Sequence, residues 1–150
     1  MGTVILLCSI NGDMEQYIQT EDLSIICATA RLFPDGILEA FRSLEKAIGD
    51  NIAHRPFFGI SKPNEKGTII YKAGVLETKE GEAESYGFET FTLSKGTYLT
   101  ETLIDWKKRP QSIGEVFQKL LSDPRLDPSS SCVEWYKGQE DVMCMVKLVE

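Results

Sequence analysis

The feature that most constrains this chain is a helix written twice. "ILEAFRSL" begins at Ile37 and "IGEVFQKL" at Ile113, and the two share Ile, Glu, Phe and Leu in one register. Ile37 matches Ile113, Glu39 matches Glu115, Phe41 matches Phe117 and Leu44 matches Leu120. Apolar residues recur at helical spacing in both: Ile37, Leu38, Phe41, Leu44 and Ile48, then Ile113, Val116, Phe117, Leu120 and Leu121. Ser112 with Glu115 reads as a capping box, and Gly49 as the stop of the first helix. Amphipathic helices use a small alphabet, so the flanks have to decide whether the match is structural.

The flanks repeat as well. An extended run precedes each helix, "DLSIICATARLF" and "GTYLTETLIDW", and two follow it, "RPFFGIS" with "TIIYKAGVLE" and "SCVEWY" with "DVMCMVKLV". Each half therefore reads strand–helix–strand–strand, about 14–78 and 86–150, and "GFETFTL" adds a strand at the join. A unit seen twice predicts one α+β domain over 14–150, with pseudo-twofold symmetry, a curved antiparallel sheet and helices on one side. The charged "LETKEGEAESYG" is the expected linker, and "SDPRLDPSSS" the loop after the second helix. Residues 1–13 read as an extra strand or a leader: there is no positive n-region, and Asn11-Gly12 closes the short apolar run like a turn.

Composition removes several function classes. A net charge of −7 argues against a surface for phosphate backbones, which needs clustered Lys and Arg. The chain has one histidine, His54, and its four cysteines, Cys8, Cys27, Cys132 and Cys144, form no C-x-x-C pair, so no metal site is expected. All four cysteines lie in apolar stretches, which suits reduced core residues of a cytoplasmic protein better than nucleophiles paired with His54. No run is long and apolar enough to cross a membrane, and no Gly-rich phosphate loop or Ser-centred elbow is present. No cofactor is expected.

One residue resists a purely structural account. In "CVEWY", alternation puts Cys132, Glu134 and Tyr136 on one face and Val133 and Trp135 on the other. The Val133–Trp135 face is the natural one for helices to cover, so Glu134 and Tyr136 are expected on the opposite face. Met143 and Met145 alternate with Val142, Cys144 and Val146, so both faces of the last strand are apolar and the uncovered one suggests a groove or interface. Glu134 is then an exposed acid on an antiparallel strand, or one paired with Lys72 or Lys147 on a neighbour, or a buried acid among aromatics that would attract an organic cation. Phe58, Tyr71 and Trp106 are further aromatic candidates, each also at home in a core; the helix register matches Phe58 with Glu134. Glu39 and Glu115 sit in first helical turns and read as dipole partners, and "WKKRP" as a solvated approach to the second helix.

The doubled plan, the "YKAGV" strand, "FTLSKGTYLT" and the closing "CVEWY…DVMCMVKLV" resemble the GyrI-like small-molecule-binding domain, also found as the effector-binding domain of AraC-type and multidrug-responsive regulators. The resemblance runs from about Met14 to Glu150. It implies a groove between the two halves for bulky, often cationic, aromatic compounds, with Glu134 as its acid and Tyr71, Trp106 and Tyr136 as its aromatic wall. The regulators carry a DNA-binding domain ahead of this one and the chain has no room for it, so direct nucleic-acid binding is not expected. Some free-standing members hydrolyse cyclopropane-bearing alkylating agents. That alternative would use Glu134, its pKa raised by apolar surroundings, to activate water, and Tyr71 as a hydrogen-bond donor. A protein-binding inhibitor module is the third reading, compatible with the acidic surface.

Overall fold

The computed structural model describes residues 14–150; the expected strand or leader at 1–13, and Cys8 with it, lie outside the described residues. The chain divides into two compact units, one of Glu21–Ser94 and the other of Lys95–Glu150 with, among the described residues, the segment up to Thr20.

The 21–94 unit contains β2 (Leu23–Thr29), α1 (Ile37–Ile48), β3 (Phe57–Pro63), β4 (Ile69–Leu76), α2 (Glu82–Tyr86) and β5 (Glu89–Leu93). Its strands are antiparallel in the order β3-β4-β2-β5. The apolar stripe of α1 lays Ala40, Leu44 and Ile48 on Ile26, Ala28, Ala73 and Val75, which alternation brings to one sheet face. Gly49, at φ 66°, ends the helix as expected.

The other unit contains β1 (Glu15–Gln19), β6 (Gly96–Leu103), α3 (Ser112–Leu120), β7 (Cys132–Lys137) and β8 (Asp141–Lys147). Its order is β1-β6-β8-β7, again antiparallel. α3 lays Val116, Phe117 and Leu120 on Leu99, Val142, Cys144 and Val146. In chain order β6, α3, β7, β8 repeats β2, α1, β3, β4, so the expected doubled α+β architecture is present. The outer strands come from elsewhere. β1, which opens the first half on the sequence, pairs with β6, and β5 from the join pairs with β2.

Two local expectations are corrected. The segment read as a linker contains α2, whose Ala83 is 1% exposed and packs in the α1 core. Glu82 explains why a charged run folds here: it accepts two bonds from Arg55, at 2.7 and 3.0 Å, and one from the Thr78 amide at 2.9 Å. The capping box at Ser112 does not form either. The Ser112 hydroxyl donates to Arg109 O at 2.6 Å, and Arg109 takes both Glu115 oxygens, at 2.6 and 2.8 Å. A bidentate guanidinium outbids a backbone amide for that carboxylate. Glu39 is held in the same way by Arg31, so both first-turn glutamates are ion-paired.

Candidate functional site

Cross-strand register decides which way Glu134 faces. It pairs with Cys144 on β8, and Cys144 pairs with Glu101 on β6. Directly opposed residues share a face, and Cys144 belongs to the cluster under α3. Cys132 and Tyr136 pack against that same cluster. Glu134 and Tyr136 therefore lie on the helix-covered face, which reverses the expectation from the sequence. Trp135 carries the reason. Its ring is covered on the other face by its own neighbours: Lys137 Nζ lies 3.7 Å from the centroid, and Tyr17 meets it edge-on at 6.4 Å. A ring screened by a cation and an aromatic edge needs no helix over it.

Glu134 is 8% exposed, so the exposed-acid alternative is set aside, and Lys72 is paired with Glu89 at 2.7 Å. The Tyr136 hydroxyl donates to Glu134 Oε1. The Tyr136 ring in turn lies 5.5 Å from Trp106, tilted by 55°. Trp106 opens a single 3₁₀ turn, Trp106–Lys108, between β6 and α3. Asp105 reaches φ 54° just before it, a conformation Asp tolerates better than most, and the Trp106 amide donates to Glu140 O at 3.1 Å. The "WKKRP" run thus approaches the helix as expected, but its tryptophan is half-buried and packed against the α3 core, while Lys107 to Pro110 are solvated.

Acid and thiols share this face. Burial pushes the Cys132 thiol up to about 11, and the Glu134 charge adds to the effect. Burial also raises Cys144, with Glu134 and then Glu101 contributing. In the other unit burial holds Cys27 at about 12. All three stay protonated at neutral pH and behave as core residues. Among the described residues no group of His, Cys, Asp and Glu is arranged to hold a metal ion.

Glu101 is the functional candidate that sequence reasoning missed. It is 4% exposed, and its Oε1 lies 2.5 Å from Lys119 Nζ on α3. Its signal was present: in "YLTETL" it shares parity with Leu99 and Leu103, the apolar positions of β6.

Glu134, Tyr136 and Trp106 are brought together; Tyr71 and Phe58 belong to the 21–94 unit and lie on opposite faces of its sheet. Tyr71, 3% exposed, is on the α1 face, with Phe33 stacked on it at 5.9 Å and Phe41 edge-on at 6.4 Å. Phe58 has no exposed surface and pairs with Gly74, where an added Cβ would meet Ile25 at 2.6 Å and Phe58 at 3.4 Å. Its neighbour Phe57 is the one that joins Phe41 and the α1 core. The register match of Phe58 with Glu134 therefore fails by one residue, which in a strand is the other face. The same unit has a cavity of about 530 Å³ beside Arg31, Leu32, Asp35, Gly36 and Glu39. A second, of about 380 Å³, includes Arg55, Thr78, Glu82 and Tyr86 in its lining. Neither includes a residue singled out as ligand-binding from the sequence.

No protein-family model matches the chain, and no curated protein sequence does. Solved structures match it over nearly their whole length. An integron cassette protein from the mobile metagenome of Vibrio cholerae is 12% identical with a TM-score of 0.66, covering 91% of this chain and 95% of its own. SAV2435, solved bound to tetraphenylphosphonium, is 12% identical with a TM-score of 0.63, covering 90% and 94%. A hydrolase from Listeria innocua is 10% identical with a TM-score of 0.58, covering 91% and 92%. At these identities the likeness establishes the fold.

Proposed function

We propose that this is a GyrI-like domain that binds bulky hydrophobic small molecules carrying a positive charge, with Glu134 as the anchor and Tyr136 and Trp106 as its aromatic contacts. The observation that carries the proposal is a carboxylate held nine-tenths out of water, hydrogen-bonded by a tyrosine whose ring rests on an indole. A carboxylate in such surroundings gains from a cation that brings no tight water shell, and the ring faces add their own attraction. Orientation from one charge and affinity from apolar contact give a broad ligand range. A neighbour in fold was solved with a lipophilic phosphonium, which supports this ligand class. Tyr71, with Phe33 over it, is proposed as an aromatic contact of the 21–94 unit; Phe58, on the opposite face and without exposed surface, is not one of the proposed contacts.

Tetraphenylphosphonium titrated against the protein, followed by the emission of Trp106 and Trp135, tests the proposal. Glu134→Gln should weaken binding about tenfold or more, the worth of a desolvated charge pair. Neutral triphenylphosphine should bind the wild type no better than it binds the variant. Unchanged phosphonium affinity in Glu134→Gln would remove Glu134 as the anchor.

A second reading is hydrolysis of cyclopropane-bearing electrophiles, favoured by the Tyr136–Glu134 hydrogen bond and by a fold neighbour described as a hydrolase. Glu134 would take a proton from water as its oxygen bonds to a ring carbon. The ring C–C bond would break toward the conjugated carbonyl, which collects the proton afterwards. Tyr136 replaces Tyr71 as the tyrosine of this scheme, because it is the one bonded to the acid. Mass spectrometry of such a compound after incubation separates the readings: a water-added, ring-opened product means catalysis, and unchanged bound compound means binding.

A further inference from the structure

The surroundings of Glu101 bear on what this site can hold. In register Glu134, Cys144 and Glu101 stand side by side on β7, β8 and β6, so two carboxylates flank one cysteine on the α3 face. Adjacent strands run about 4.8 Å apart, which sets the two glutamate Cα atoms about 10 Å apart. Both acids are more than nine-tenths buried.

Glu101 meets its cation awkwardly. Lys119 Nζ is 2.5 Å from Oε1, yet that oxygen is shut off from solvent and takes part in no hydrogen bond of good geometry. The lysine side chain is 43% exposed and the glutamate 4%. A long, half-solvated ammonium on a buried carboxylate matches charge without direction, and it can leave by swinging its stem toward water. Glu101 cannot be left alone in turn, because an uncompensated buried charge is costly. Any cation that reaches it would exchange one for one with Lys119.

We propose that Glu101 is a second cation-binding carboxylate of the same site, screened by Lys119, and that its best ligands carry two positive charges spaced on the scale of that two-strand Cα separation, about 10 Å. The proposal rests on the reading of Glu134 as the cation anchor. One charge meets Glu134 beside Tyr136 and Trp106; the other meets Glu101 in place of Lys119. A monocation leaves Lys119 where it is. The ligand class is the bis-quaternary and bis-amidinium compounds, and spacer length is the property the site selects.

Calorimetric titration of bis(trimethylammonium) alkanes of increasing length, each beside the monocation on the same chain, tests this. The wild type should prefer the dication by about tenfold or more at a charge spacing near 10 Å and lose the preference at shorter spacers. Glu101→Gln should bring the ratio of the two affinities to about one. Lys119→Met gives a second, independent readout. It leaves Glu101 buried without its ammonium, so its melting temperature should fall and n-butylammonium should restore it more than it raises the wild type. A dication that gains nothing at any spacer, or a Lys119→Met protein that butylammonium does not rescue, overturns the proposal. If phosphonium binding instead survives Glu134→Gln, the anchor reading fails by itself, and the Lys119→Met rescue still decides the role of Glu101.

Discussion

Glu82 and Glu134 are both buried acids, and for Glu82 the partners account for its role in the fold. Glu82 is closed: the Arg55 guanidinium, the Thr78 amide and the Thr78 hydroxyl all point at it. The Arg55 bond is the main reason its pKa falls from 4.5 to about 2, with the Thr78 bonds helping and burial opposing. A folded-state value below the unfolded one stabilises the fold fully above about pH 4.5, and the stabilisation is lost as pH falls toward 2. Thermal melts from pH 7 to 2 should therefore show a steep loss in that window, and Glu82→Gln should flatten it. Arg55→Met strands the carboxylate and should cost about 3 kcal/mol at neutral pH. A wild-type acid profile that Glu82→Gln reproduces would refute this assignment. Glu134 could be singled out from the sequence because an acid between aromatic and apolar residues is odd in a strand. Its direction could not. Alternation sorts residues into two faces, and only tertiary packing decides which face the helix covers. Here Lys137 lies over Trp135 on the face the helix leaves open, an interaction no periodicity reports.

Helices α1 and α3 were legible because their stripes are long enough to carry a period. α2 was not, since five residues within a charged run hold too few apolar positions to show one. The elements also differ in what sustains them. Leu44 and Leu120 occupy matching positions, and neither has exposed surface. Each changed to Ala should cost about 3 kcal/mol in denaturant unfolding. The Arg31–Glu39 and Arg109–Glu115 clamps are as regular in geometry but open to water, where the pair's attraction is largely offset by hydration and side-chain entropy. Arg31→Ala and Arg109→Ala should leave the midpoint nearly unmoved. For α2 the sharp case is Ala83→Arg. A linker would accept it silently, whereas a residue 1% exposed in the α1 core should lose cooperative unfolding or most of its stability. A midpoint unchanged by Ala83→Arg would return the segment to a linker.

At the scale of the molecule, doubling was readable and strand exchange was not. Each repeat announces itself through local periodicity, while the partner of β1 lies some eighty residues away in the chain and leaves no mark on its neighbours (Glu15 pairs with Thr100 and Gln19 with Gly96). That register has a consequence for how the chain can be cut. With Gln19 opposite Gly96, only Thr20 and Lys95 separate β1 from β6 if the two are joined, and two residues are the natural length of a β-hairpin turn. A chain of residues 14–20 fused directly to 95–150 should therefore keep the order β1-β6-β8-β7 with α3 on it. Asn and Gly at the junction suit a type I′ turn better than Thr and Lys. Residues 86–150, the second half as the sequence alone divides it, lack β1 and retain β5, whose partner β2 is then missing. The edge of β6 is left bare in that fragment. Such small units are marginal, so the comparison and not the absolute stability carries the test. The fused chain should show dispersed amide resonances and a cooperative melt that 86–150 does not. Equal behaviour of the two would mean that β1 is dispensable to its unit, and that the pairing with β6 does not define it.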